Sequence, residues 1–426
     1  MTINPLAEFL SAGDAVATPQ GRSQIDAILN AVRHHLGMEI AFASRFVGDR
    51  REFTHIVADI PLPLGPGDSE PLEDTFCHHI LEGRLPALIH NAADHPLAMT
   101  LPIAPALPVG AHVNVPLMLK DGSVYGTFCC LSRTSDYSLN ERDLSTLRAF
   151  ADLAVEQIQL QRDTETIRAL LVEKVTGAIA GNQPMIVLQP IHRLDTGRSA
   201  GCEALARFAD AGSRPPSDWF AEAFEVGMGV ALEIAAVEKA LAALPYVPAD
   251  HYVSINVSPE AVLSGRVGPL LEAVKRPGIV LEVTEHARVD DYAALRDALA
   301  ALRPYARIAI DDVGAGYSSL RHIIALAPDI LKLDMSLTRD VDRDPARRAL
   351  AGAMVNFASR IGASIVAEGI ERVEEAQVLR DLGITYGQGY LFSRPMPLVA
   401  AQQHMLGLAD PVTAVSQPDR KQLRAA

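Results

Sequence analysis

The chain has 426 residues, a length that predicts two or three domains at about 100–200 residues each. Its 49% hydrophobic content excludes overall disorder. Lys and Arg number 38 against 52 Asp and Glu, a formal net charge of −14, so neither DNA nor RNA polymer binding through bulk charge is expected, and an anionic substrate needs local cations or bound metal ions.

In chain order, residues 1–19 read as a flexible lead without the basic region and long apolar core of a secretory signal. Ser23 with Asp26 resembles a capping box, and Ile25, Ile28, Leu29, Val32 and Leu36 follow at helical spacing up to Gly37. EIAFASRF reads as a strand and the Pro- and Gly-rich stretch 61–71 as a loop. In 111–119, Val113, Val115 and Leu117 alternate with His112 and Asn114; Lys120-Asp121-Gly122-Ser123 and the run VYGTFCCLS complete a hairpin signal. These elements predict an α+β domain over an antiparallel sheet at residues 20–160. From Asn140 to about Lys174 the pattern is helical, with Leu147, Phe150, Ala154 and Ile158 on one stripe. It reads as a linking helix, assigned to 161–178, and either packs on its own domain or pairs with a second copy. Four cysteines without a C-x-x-C spacing point to reduced thiols and a cytoplasmic setting. No window approaches about 18 uncharged apolar residues, so membrane insertion is not expected.

Beyond about residue 180, β-like runs alternate with helical stretches: MIVLQPI, CEALARF, YVSINVS, IVLEVTE, RIAIDDVG, ILKLD, SIVAEGIE and YGQGYLF. The alternation predicts a mainly parallel sheet closed as a (βα)₈ barrel over 179–407, followed by a loose tail at 408–426. Polar residues fall at the ends of these runs: Glu203, Asn256, Glu282, Asp311, Asp312, Lys332, Asp334, Glu368 and Gln388. In a barrel such ends converge on one mouth. Glu203, Glu282, Asp311, Asp312 and Glu368, five crowded carboxylates, repel one another, and oxygen donors favour Mg²⁺ or Mn²⁺ over zinc. Five exceed what one ion takes, which points to two ions and phosphate-ester hydrolysis.

Residues 180–400 resemble an EAL domain, the phosphodiesterase family named for Glu-Ala-Leu, here Glu203-Ala204-Leu205. The stretches LQPI, CEALARF, SINVSP, LEVTEH, IDDVGAGYSSL, LKLD, VAEGIE and QGYLFSRPMP carry the likeness in order. The resemblance implies a modified TIM barrel that hydrolyses cyclic di-GMP to the linear dinucleotide pGpG. It implies that Glu203, Asn256, Glu282 and Asp311 ligate one ion, and that Asp311 bridges to a second held by Asp312 and Glu368. Lys332 would orient the attacking water beside Gln388. Gln189, Leu205 and Arg207 would touch substrate, Arg207 at a phosphate. Glu285 would hold the loop 311–320, with Asp334 and Glu371 as outer supports. Two departures from the family pattern are Ala206 and Phe208, where it often has Leu and Trp around the arginine; a third is Val313, where Phe is frequent. All ligand positions hold the expected residue types, which favours an active enzyme over a receptor that binds without turnover or a module working through its N-terminal half.

Residues 20–160 resemble a GAF domain through the first helix, DTFCHHILEG and the hairpin. That implies a small-ligand sensor or dimerisation unit, and the sequence names no ligand for it. Cys77, beside His78 and His79, reads as a small cysteine in a pocket wall. Cys202 reads as barrel packing and His286 as structural or solvent-facing. No Gly-Gly-Asp/Glu-Glu-Phe motif is present, so degradation of the messenger is expected without synthesis. The expected assembly is a homodimer.

Overall fold

A computed structural model describes residues 19–103, 109–209, 214–283, 291–314 and 319–408, with side chains from residue 24 in the first segment and from 323 in the last. The chain divides into two compact units, Met1–Ala169 and Leu170–Ala426. The first contains helix α1 (Pro19–His35), strands β1 (Ile40–Val47), β2 (Arg50–Ala58) and β3 (Ser69–Pro71), helix α2 (Phe76–Leu81), and strands β4 (Leu88–Ile89), β5 (His112–Met118) and β6 (Val124–Leu131). The strands form an antiparallel sheet in the order β3-β2-β1-β6-β5-β4. The Asp121-Gly122 turn joins β5 to β6 as the hairpin signal predicts, Gly122 taking φ +82°.

This sheet is buried on both faces. On one, Val113, Val115 and Leu117 pack with Ile25, Leu29 and Val32 of α1 and with Leu147, Ala154 and Ile158. On the other, Phe42, Phe53, Cys77 and Cys129 form a second cluster. His112 and Asn114, the polar half of the alternation, are therefore buried, at 2% and 0% exposure. Helix α3 runs Glu141–Ala180, six residues beyond the helical pattern's end at Lys174. Its first half packs on its own unit's sheet, while Leu153, Leu160 and Ile167 are exposed.

The second unit is a closed eight-stranded barrel: β7 (Met185–Arg193), β8 (Ser199–Arg207), β9 (Tyr252–Val257), β10 (Ile279–Val283), β11 (Arg307–Val313), β12 (Ile330–Leu333), β13 (Ser364–Ala367) and β14 (Tyr386–Gly387). Strands β8 to β14 run parallel, and β7 is antiparallel to both its neighbours. The connection from β7 to β8 covers only residues 194–198, too short for a crossover helix, so these strands must form a hairpin. This is the modification of the TIM barrel. Helices α4 (Pro216–Glu225) and α5 (Gly229–Ala242) separate β8 from β9.

Period-2 alternation sorts the strand residues. Ile279, Leu281 and Val283 of β10, and Leu331 and Leu333 of β12, belong to the outer core. Tyr252, Val280, Ala309, Ile330 and Val366 form an inner apolar layer. Gly201 makes room for that layer, because a Cβ there would lie 2.6 Å from the Tyr252 ring.

Candidate active site

Two residues beyond four members of the inner layer, the same inward face turns polar. Val280 leads to Glu282, Ala309 to Asp311, Ile330 to Lys332 and Val366 to Glu368; Asn256 lies four beyond Tyr252. Glu203 takes the equivalent level on β8, paired in register with Gln189 of β7. It sits mid-strand rather than at the end of its run, because the hairpin with β7 continues to Arg207.

Lys332, 1% exposed, stands at the centre. Its Nζ lies 2.7 Å from Glu368 Oε1, 2.8 Å from Glu282 Oε2, 3.0 Å from Asp311 Oδ1 and 3.6 Å from Glu203 Oε2. Glu203 Oε1 accepts from Asn256 Nδ2 at 2.9 Å, and Oε2 from Gln388 Nε2 at 2.8 Å. Gln388 also donates to Gln189 Oε1 at 3.1 Å, and Gln189 donates to the Ser393 carbonyl at 3.2 Å.

Adjacent residues on a regular strand face opposite ways, yet the carboxylates of Asp311 and Asp312 lie within 4.8 Å of each other and of Glu368. The pairing of β11 with β12 shifts between Ile310 and Val313, and Asp312 takes φ +54°. This bulge turns both carboxylates to one side; a left-handed residue other than glycine marks a conformation held by its surroundings.

The electrostatics show a site short of positive charge. Burial drives the Glu282 carboxyl well above its usual range despite Lys332. Burial likewise raises Glu368 to about 8, with Asp311 and Glu203 adding to the rise. Burial acts against the Lys332 ammonium, but Glu203, Glu282, Glu368 and Asp311 outweigh it and keep the amine protonated. Burial also raises Glu203, while Lys332, Asn256 and Gln388 bring it below the usual value. Formally, five carboxylates and one ammonium leave four negative charges to neutralise. The donors are all oxygen atoms, and Asp311 Oδ1 is buried with no aligned hydrogen-bond donor. This set fits hard divalent cations.

Beside the cluster opens a cavity of about 920 Å³ lined by Leu205, Arg207, Glu233, Asn256, Ser258 and Asp312, among others. Arg207 Nη1 donates to the Ala206 carbonyl at 2.7 Å. Glu233, on α5, accepts from the Ser258 hydroxyl at 2.5 Å, and burial raises its carboxyl to about 7. Sequence reading did not single out Glu233, since one acid within an amphipathic helix resembles its solvated face. Asp334 caps the helix Met335–Thr338 by accepting from the Ser336 amide at 2.8 Å. Glu371 pairs with Arg339 at 2.5 Å and is exposed. Glu285, His286 and Gly316 lie outside the described residues. Phe208 stacks on Trp219 with centroids 4.4 Å apart, and Lys174 Nζ lies 3.9 Å from the Trp219 ring centroid. Phe208 thus packs on an indole supplied by α4.

Fold and site together define a (βα)₈-type barrel with an oxygen-donor cluster at its mouth. The EAL domain profile matches residues 172–395, and a GAF domain profile matches 24–159. The chain belongs to the EAL family and carries a GAF domain before the barrel. It is 29% identical to the cyclic di-GMP phosphodiesterase PdeL of Escherichia coli (strain K12) over 238 residues, which are 53% of this chain and 66% of PdeL. It is 32% identical to the cyclic di-GMP phosphodiesterase PA2567 of Pseudomonas aeruginosa over 225 residues, 50% of this chain and 38% of that protein. The EAL enzyme Bd1971, in its cAMP- and cyclic-di-GMP-bound form, shares the fold at TM-score 0.54 and 20% identity, covering 86% of this chain and 93% of its own. The chain spans only 33% to 38% of the length of several other curated relatives.

Proposed function

We propose that the barrel hydrolyses cyclic di-GMP to pGpG with two Mg²⁺ or Mn²⁺ ions, under the control of the GAF domain. The carrying observation is the gathering of Glu203, Glu282, Asp311 and Glu368 within 3.6 Å of one buried ammonium. Relatives named as cyclic di-GMP phosphodiesterases support the substrate. Glu203, Asn256, Glu282 and Asp311 would hold one ion, and Asp311, Asp312 and Glu368 the other. When bound, the ions lower the pKa of water and neutralise the phosphodiester. Lys332 orients the water with Gln388 beside it, and Gln189 fixes the Gln388 amide. Leu205 and Gln189 bound the substrate. Arg207 exchanges its contact with the Ala206 carbonyl for a phosphate, for which its planar fork is suited. Glu233 supplies a carboxylate acceptor to the N–H donors of a guanine edge. Asp334 and Glu371 support the rim.

The working form is a homodimer in a cytoplasmic setting. Leu153, Leu160 and Ile167 of α3 recur every seven residues and are exposed, a seam suited to a second copy. The domains are assigned as residues 20–160 for the sensor, 161–178 for the link and 179–407 for the enzyme.

Incubation with cyclic di-GMP and Mg²⁺ or Mn²⁺ tests the reading, with Glu203→Ala as the control. Linear product is expected from the wild type and not from the variant. EDTA, or Ca²⁺ in place of Mg²⁺, is expected to stop turnover. Binding without product under either metal would make the barrel a receptor, and full activity in EDTA would remove the two-ion mechanism.

A further inference from the structure

The first unit contains a second chemical cluster, remote in sequence from the barrel. Cys77 on α2 and Cys129 on β6 are both fully buried, and their sulfurs lie 3.4 Å apart. Arg51 of β2 donates from Nη1 to Cys77 Sγ at 2.9 Å. Arg51 is itself 5% exposed, sits over the rings of Phe42 and Phe53, and pairs with Glu70. A buried guanidinium aimed at sulfur stabilises a thiolate, and a thiolate is the reactive form of cysteine. His112 brings a ring nitrogen within 4.8 Å of both sulfurs, and its Nδ1 is buried without a partner. A cavity of about 50 Å³ is lined by Arg51 and His112, the two groups that flank the sulfurs, while neither sulfur itself lines it. It has room for a molecule the size of hydrogen peroxide.

We propose that Cys77 and Cys129 are a peroxide-oxidisable dithiol, with Cys77 as the attacking thiolate and Cys129 as the resolving thiol. In the first step the Cys77 thiolate attacks one peroxide oxygen. An S–O bond forms, the O–O bond breaks and hydroxide leaves; sulfur loses two electrons and the peroxide gains them. In the second step Cys129 sulfur attacks Cys77 sulfur. The S–S bond forms, the S–O bond breaks, and the departing hydroxide takes up the Cys129 proton as water. The sulfurs must close by roughly 1.3 Å to reach a bond of about 2.05 Å. Acid–base properties agree with this division of roles. Burial raises the Cys77 thiol, but the Cys129 hydrogen bond and the Arg51 charge bring it down to about 6. Burial and Cys77 together hold Cys129 well above the ordinary thiol range. Cys130 and Cys202 lack such a partner, and burial pushes Cys202 up to about 12 and Cys130 higher still.

The protein carries its own controls, since all four cysteines are free. The reduced protein is treated with one equivalent of hydrogen peroxide, denatured, alkylated and mapped by peptide mass spectrometry. A Cys77–Cys129 cross-linked peptide is expected, with Cys130 and Cys202 still alkylated and reacting at least about tenfold more slowly. In Cys129→Ser, the Cys77 sulfenic acid is expected to be trapped by dimedone; circular dichroism melting checks that the variant folds. The assignment fails if the wild type gives no cross-link, if all four thiols oxidise at similar rates, or if the purified protein retains one zinc ion at the pair that blocks oxidation.

Discussion

At the scale of single residues, Lys332 is the clearest case of a side chain with two roles. Without divalent ions its ammonium is the counter-charge to Glu203, Glu282, Asp311 and Glu368. Removing one partner of a buried charge cluster costs on the order of 3–5 kcal/mol. Lys332→Met should therefore lower the unfolding free energy of the metal-free protein by that order, read as a fall in its urea midpoint, and abolish turnover. An unchanged metal-free midpoint would show that the carboxylates are neutralised some other way. Glu233 makes a prediction of opposite sign from its proton. Its folded pKa of about 7 exceeds the ordinary 4.5, so the folded state binds the proton more tightly. Its contribution is complete below about pH 4.5 and is lost as pH rises through 7, up to roughly 3 kcal/mol. Glu233→Gln should match wild-type stability near pH 5 and exceed it at pH 8; parallel pH–stability curves would refute the assignment. The acids of the mouth were legible because each follows an apolar run in a distinctive motif. Glu233 and Arg51 were not, since their partners Ser258 and Cys77 lie 25 and 26 residues away, and only folding brings each pair together.

At the scale of elements, the bulge in β11 does what no regular strand can, turning Asp311 and Asp312 to one side. The motif IDDVG drew attention to both acids, but not to the register shift on which their shared orientation depends. Likewise CEALARF showed Glu203 and Arg207, but ending the strand at the acid left out the hairpin that places Glu203 against Gln189. The turn closing β11 depends on Gly314. Its φ is +113°, and a Cβ there would lie 2.3 Å from Leu337 Cδ1. Gly314→Ala combines backbone strain with a clash and should cost about 1–3 kcal/mol. Because the turn follows directly on Asp311 and Asp312, kcat should fall as well, while thermal melting reports the stability loss. Full activity with wild-type melting would show that the turn relaxes freely.

At the scale of the whole molecule, the change of rhythm near residue 180 made the two architectures legible: a hairpin-bearing α+β unit and a βα barrel. The extent of α3 was less legible, because Gln and charged residues along 157–163 interrupt its stripe without breaking the helix. On the proposed reading the folded barrel binds divalent ions more tightly than its unfolded chain, where those acids are dispersed and hydrated. Ligands that prefer the folded state stabilise it by RT ln(1 + [L]/Kd), about 2.7 kcal/mol at one hundred times Kd. Scanning calorimetry of the full chain should therefore show a saturable rise in the barrel's transition with Mn²⁺ or Mg²⁺. The transition of the first unit should stay in place, because its sheet carries no comparable oxygen-donor cluster among the described residues. Asp311→Asn should remove most of the shift, since it withdraws the oxygen shared by both halves of the donor set. A metal-induced rise that survives in Asp311→Asn, or that moves the first unit's transition equally, would locate the ions elsewhere than the barrel mouth.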